Sequence, residues 1–318
     1  MDNKTFEQAF NAVFHDKEVF KSFLSLRLNE EITEFTIQSR KIYRTSDKLK
    51  KYLRFIDRVV LRHLNRNEDV VHSYIKERST LTAVQSHASN KAFFMTDIKD
   101  FFNNIKTQDI LTIFNRDKKL IPFSDFEDYI PLIVKMTTWG DSIPIGFPTS
   151  PQFSNAFLLG FDNALQQYCN EKGLVYSRYS DDIIISGKKT SAFDTLEDNI
   201  QIMLQQNTSE KFLLNLKKTR ITHIGNKVKI LGLIITPNGQ VTIDSKYKKI
   251  LESLLHFYSN NDRRYEELLT REFDGKERSL FGMLHYAKSI DSGYLEKLQR
   301  KYGAYTLSSL MEDKWSGR

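Results

Sequence analysis

Between Ser46 and Leu64 apolar side chains recur every three to four residues: Leu49, Tyr52, Leu53, Ile56, Val59, Val60 and Leu64. That spacing gathers them on one stripe of a helix, so residues 45–65 are expected to be helical, with Ser46 placed to cap the first turn. The other face is basic, carrying Lys48, Lys50, Lys51, Arg54, Arg58 and Arg62. A solvated surface accounts for most such charges, and a subset turned toward nucleic acid is the functional alternative. Residues 3–28 show a similar period and are expected to be helical too.

The period changes in the middle of the chain. KAFFMTDIKDFFNNI (91–105) begins as an apolar strand and changes character at Asp97. Phe101, Phe102 and Ile105 then suggest a short helix. Residues 151–170 form an apolar helical stretch entered through the turn IPIGFPTSP, and residues 174–187 alternate as a β-hairpin with Ser180-Asp181 near its tip. A helix is expected over 192–207. KVKILGLIIT (227–236) reads as one strand, followed by the turn PNG at 237–239, and the pattern from 245 onward is helical and basic. A strand, helix, hairpin, helix, strand order predicts an α+β fold with helices on one face of an antiparallel sheet. Mostly helical segments flank it, without a clear linker.

Composition narrows the picture. A chain of 318 residues can bury a large core and divide into several lobes. Its 47 Lys and Arg against 40 Asp and Glu leave a formal charge of +7, which fits a nucleic-acid partner without requiring one. The single cysteine, Cys169, excludes an internal disulfide framework and a cysteine-based zinc site. No stretch approaches the roughly 20 apolar residues that span a bilayer, and the start reads as an amphipathic helix rather than a secretory signal. A cytoplasmic protein with no membrane partner is expected.

The candidate chemistry centres on RYSDDIIISG (178–187). Two adjacent aspartates precede a strand bound for the core, where like charges repel most strongly. An acidic hairpin tip is one explanation, since Asp suits turns. A divalent metal is the other, because magnesium takes hard oxygen ligands from one or two carboxylates together with substrate phosphates. A third acid, Asp97, ends a different apolar strand. If the two elements are neighbours in one sheet, Asp97, Asp181 and Asp182 gather at one end of it. Asp100, nearby, is expected to serve at the surface or as a cap.

With these residues in view, the chain resembles reverse transcriptases, specifically the compact bacterial group that includes retron and phage-defence enzymes. FFMTDIKDFFNNI is similar to the family's first catalytic block, GFPTSPQFSN (146–155) to its template and nucleotide block, and YSDD to its Tyr-x-Asp-Asp signature. LNLKKT (214–219) and ILGLIIT (230–236) resemble the two blocks that follow, and the resemblance runs from about residue 40 to 303. It implies a right-hand polymerase: N-terminal helices and fingers over 1–90, a palm over 91–236 with an inserted fingers segment at about 106–145, and a thumb over 237–318. It also implies that Asp97, Asp181 and Asp182 are catalytic and hold Mg2+. Phe102 would block a ribose 2′-hydroxyl, Arg78 and Lys76 would hold the triphosphate, and Lys218 would stand near the leaving pyrophosphate. Gly146 and the Ser150-Pro151 turn would let backbone approach the nucleotide. The block at 279–303 resembles the helical thumb that grips the duplex.

The implied activity is RNA-directed DNA synthesis by two-metal nucleotidyl transfer, in antiviral defence. The implied partners are a structured non-coding RNA template, deoxynucleotides, a DNA product and a companion effector protein. Some positions depart from the family. Ile145 stands where Gln usually precedes the glycine. In the stretch Ala83, Val84, Gln85, Ser86, His87 only the histidine matches the usual retron pattern, and Ile230-Leu231-Gly232 replaces Val-Thr-Gly. These leave open whether the chain is a retron enzyme or another defence class. Two other functions also stay open: template-independent or protein-primed nucleotide addition, and a catalytically inactive RNA-binding scaffold.

Overall fold

The computed structural model describes residues 4–37, 40–225, 227–260, 262–275 and 278–311. Contacts divide the chain into two units, one formed by 1–79 with 92–221 and the other by 80–91 with 222–318.

In the first unit the apolar stripe forms the helix Asp47–Val59, with the Ser46 hydroxyl accepting the Leu49 N–H; the helix stops short of the expected residue 65, passing through a tighter turn at Leu61–His63 to an extended Leu64. The expected helix over 3–28 does not run through. Residue 3 lies outside the described residues, and the rest folds as Phe6–Phe14 and Phe20–Leu24, parted by His15 and Asp16 at positive φ. Packing explains the break. In one continuous helix Phe6 and Phe23 would stand roughly 25 Å apart at 1.5 Å per residue. Here their ring centroids are 6.0 Å apart, and both rings lie against Phe55.

Strands β1 (Ile32–Ile37) and β2 (Arg40–Thr45) pair antiparallel in a hairpin that the sequence pattern did not show, because its side chains are almost all exposed or half-buried. The main sheet holds β3 (Ala92–Asp97), β4 (Val175–Tyr179), β5 (Asp182–Gly187) and β6 (Arg220–His223) in the order β4-β5-β3-β6. β3 is buried at every residue, and the pairs β3–β5 and β4–β5 are antiparallel. The helices Ser150–Phe157, Leu159–Glu171 and Leu196–Asn207 contribute Phe153, Phe161, Leu165 and Ile200 to the same core. The expected helix over 151–170 is interrupted at Leu158.

In the second unit the apolar run 227–236 is a hairpin rather than one strand. β7 (Val228–Ile230) and β8 (Leu233–Ile235) pair across a turn in which Leu231 and Gly232 both take positive φ, and β9 (Val241–Ile243) adds to β8. A continuous apolar run cannot reveal a turn that relies on a leucine in the left-handed region. The helices Ser245–Ser259, Arg264–Phe273, Arg278–Ile290 and Ser292–Tyr302 build a separate core around Leu251, Leu255, Leu269 and Leu284.

Gly146 joins the β1–β2 hairpin to the main body. Its φ is 108°, and a Cβ there would collide with the Tyr43 carbonyl oxygen, while the Tyr43 N–H donates to the Ile145 carbonyl at 2.8 Å. Gly146→Ala should therefore lower the unfolding free energy by about 1–3 kcal/mol, read as a fall in the denaturant midpoint. An unchanged midpoint with lost activity would instead assign Gly146 to substrate.

Candidate active site

The end of β3 is where the predicted acids meet. Asp97 and Asp182 are direct partners across β3 and β5, and Asp182 is also opposite Tyr179 on β4. Asp181 sits in the turn between β4 and β5, and its carbonyl accepts the Ile98 N–H at 3.1 Å. The conditional expectation that the three carboxylates share one sheet end is met.

Backbone bonds bring a cation to the same place. The Asn215 N–H donates to the Asp97 carbonyl, and the Lys99 N–H to the Leu213 carbonyl, each at 2.8 Å. The turn at 215–219 is closed by the Lys218 and Thr219 N–H groups donating to the Asn215 carbonyl. The Thr96 and Thr219 hydroxyls meet at 2.7 Å. Lys218 Nζ thereby reaches Asp97 Oδ2 at 2.5 Å.

Electrostatics follow from this crowding. Burial, and after it the charges of Asp181 and Asp97, push the Asp182 carboxyl up to about 6. Burial and the Asp97 charge also raise Asp181. The bond to Asp97 raises the Lys218 ammonium, so it stays charged. Asp97 itself is 3% exposed, and its Oδ1 is buried without a hydrogen-bond partner.

An orphaned buried carboxylate oxygen beside two further carboxylates is a hard-oxygen donor set of the kind magnesium takes. Among the described residues no group of three or more His, Cys, Asp or Glu side chains is placed to hold a metal ion.

The other predicted residues are placed as follows. Phe102 is half-buried in the short helix Phe101–Asn104, which begins just after Asp97, and its ring lies 5.4 Å from that of Phe101. Asp100 is exposed at the start of that helix with φ 49° and makes no side-chain cap bond. Arg78 is half-buried, with Nη1 3.5 Å from His72 Nε2. Burial, then the Arg78 charge, draws the His72 imidazole down to about 4 and keeps it neutral. Lys76 is exposed and pairs with Glu77 at 3.5 Å, not with the carboxylates.

Ser150 is buried, and its hydroxyl donates to the Pro144 carbonyl at 2.7 Å, closing the turn that Pro151 follows into the helix Ser150–Phe157. The close backbone approach that Gly146 permits is that of Tyr43. His87 is fully buried.

Sequence reasoning passed over Arg178, Asp162, Asn155 and Ser73, which are buried around the Ser180 turn. Arg178 opens the quoted motif. Its partner Asp162 lies 16 residues away on a helix, so no local pattern marks the pair.

A family model described as reverse transcriptase (RNA-dependent DNA polymerase) matches residues 36–235. The retron Ec73 reverse transcriptase of Escherichia coli is 29% identical over 272 residues, covering 83% of this chain and 83% of that protein. The retron Ec86 reverse transcriptase of Escherichia coli is 24% identical over 278 residues, covering 85% of this chain and 79% of that protein. Among solved structures, a Candida albicans telomerase with a fragment of telomeric RNA aligns at a TM-score of 0.46 and 11% identity, over 88% of this chain and 59% of that one.

Replacing Asp181 by Asn should lower magnesium-dependent nucleotide incorporation by about a hundredfold or more. Melting temperature and RNA affinity should stay near the parent's, since a charge is removed and no core contact. Parent-like incorporation by Asp181→Asn would contradict the metal-site reading.

Proposed function

The chain belongs to the reverse transcriptase family of RNA-dependent DNA polymerases, and from that premise we propose that it copies a structured RNA by two-metal nucleotidyl transfer at Asp97, Asp181 and Asp182. The observation that carries the reading is the opposition of Asp97 and Asp182 across β3 and β5, with one Asp97 oxygen buried and unpartnered. Bound magnesium would supply charge neutralisation and Lewis acidity for attack of a 3′-hydroxyl on the α-phosphate of a deoxynucleotide.

The protein's own groups do the rest. Lys218 starts on Asp97 and, once freed, would meet the leaving pyrophosphate as a mobile point charge. Arg78 and the exposed Lys76 suit the triphosphate, Arg through its forked donors. Phe102 excludes a 2′-hydroxyl from the sugar site. Gly146, Ser150 and Pro151 shape the turn at 144–151 beneath the nucleotide.

In this reading residues 1–90 are N-terminal helices and fingers, 91–236 palm with inserted fingers at about 106–145, and 237–318 thumb. The basic face of the helix Asp47–Val59 and the exposed lysines of 245–301 would bind RNA phosphates. Antiphage defence with a companion effector, and a cytoplasmic setting, follow the defence-associated group that the chain resembles. Among the described residues no helix is long and apolar enough to cross a membrane.

Ile145 in place of the family's Gln favours one second reading, nucleotide addition without a template. The two separate in a primer-extension assay with magnesium, supplying each deoxynucleotide singly, with RNA templates of defined sequence and without RNA. Incorporation that follows the template base supports the proposal. Incorporation indifferent to RNA supports the second reading, and none under any condition leaves an RNA-binding scaffold.

Phe102→Ala tests the sugar site. A side chain that excludes by collision gives up its discrimination when truncated, so the ratio of ribonucleotide to deoxynucleotide efficiency should rise at least about tenfold. A residue that only fills the core would instead cost about 3–5 kcal/mol of stability and depress both substrates alike. An unchanged ratio with a large fall in melting temperature assigns Phe102 to the core.

A further inference from the structure

A turn that presents two carboxylates to one site must hold them against their mutual repulsion. The turn between β4 and β5 is itself strained: Ser180 at its tip has φ 59°, a region a non-glycine residue enters at a cost. Both backbone polar groups of Ser180 are nevertheless held by buried side chains. The Ser180 carbonyl accepts Arg178 Nη1 at 2.8 Å. The Ser180 N–H donates to the Ser73 hydroxyl oxygen at 2.8 Å.

Arg178 is fully buried, and each of its three side-chain nitrogens is bonded. Its Nε and Nη2 bond the two oxygens of Asp162 at 2.8 and 2.6 Å, fork to fork. Its Nη1 also donates to Asn155 Oδ1 at 3.2 Å. Asp162 further accepts the Tyr176 hydroxyl at 2.7 Å, and Asn155 Nδ2 donates to the Ser73 carbonyl at 2.9 Å. The Arg178 backbone is held too, its N–H by the Val70 carbonyl at 2.8 Å and its carbonyl by the His72 N–H at 2.9 Å. Two helices and the segment 70–73 thus converge on one turn.

Strand alternation sorts the roles. Arg178 is opposite Ile183, while Tyr179 is opposite Asp182, which is opposite Asp97. Successive side chains point to opposite faces, so the Arg178 network lies on the helix-covered face and the carboxylate pair on the other. A buried ion pair is a poor source of stability, since well-packed apolar residues often serve as well. Apolar residues, however, could not bond the Ser180 carbonyl and N–H.

We propose that Arg178, Asp162, Asn155 and Ser73 are positioning residues that fix the Ser180-Asp181 turn and so preset the metal-binding geometry of Asp181 and Asp182. This rests on the metal site proposed above. The residues act through the backbone of Ser180, in the manner of outer-shell groups that orient metal ligands.

Ser73→Ala is the test, because it removes one acceptor and strands no charge. In the metal-free protein, amide hydrogen exchange of the peptide covering 179–182 should quicken by on the order of tenfold, with the helix Leu196–Asn207 unchanged. Calorimetric affinity for Mn2+ should fall by a similar factor, on the order of tenfold, at a melting temperature close to the parent's. If Ser73→Ala does not fold, Asn155→Ser, which cuts the link from Arg178 to Ser73, should give the same local change. Asp181→Asn is titrated alongside. Parent-like exchange and Mn2+ affinity in Ser73→Ala, beside an Asp181→Asn that fails to bind, overturns this proposal alone. Parent-like Mn2+ binding by Asp181→Asn overturns the metal site beneath it.

Discussion

Negative charge gathered at one end of a buried strand pair is the constraint around which the first unit is arranged. β3 is buried along its whole length, so Asp97 at its end cannot turn into water. Asp182 lies directly across from it, and Asp181 sits just before Asp182 in the turn. Like charges opposed across a ladder destabilise it, and burial enlarges the effect. The raised pKa values of Asp181 and Asp182 express that tension.

Two cations answer it in different ways. Lys218 is bonded to Asp97, yet its side chain remains 55% exposed, so it can leave when another positive group arrives. Arg178 is completely enclosed and does not touch that balance directly. Its charge is matched by Asp162, and removing either partner would strand a buried ion at a cost of about 3–5 kcal/mol. One cation therefore suits an exchangeable role and the other a permanent scaffold. On the proposed reading, sheet, turn and neighbouring helices combine a fixed frame with a counter-charge that substrate and metal would replace.

Much of this was legible in the sequence. The stripe from Leu49 to Leu64 marked its helix, and alternation around Ser180 marked the hairpin with its aspartates at the tip. Asp97 was legible because an apolar strand ended on it. What escaped depended on partners far along the chain. The break after Phe14 follows from Phe6 and Phe23 converging on Phe55. The β1–β2 hairpin shows too little burial to impose a period, and the turn at Leu231-Gly232 hides in an uninterrupted apolar run. Gly146 was expected to let backbone approach the nucleotide, and its close neighbour Tyr43 was not foreseeable. Arg178 drew no reading at all, because only the fold brings Asp162 and Asn155 around it.

The central claim is that the three carboxylates are held ready for divalent metal, with Lys218 as a stand-in charge. Anomalous scattering from crystals grown with Mn2+, an RNA–DNA primer–template and an incoming deoxynucleotide tests it most directly. The account predicts manganese coordinated by Asp97 and Asp181, with Lys218 Nζ withdrawn from Asp97 Oδ2. Manganese bound elsewhere, with the Lys218–Asp97 pair intact beside a bound nucleotide, would contradict it.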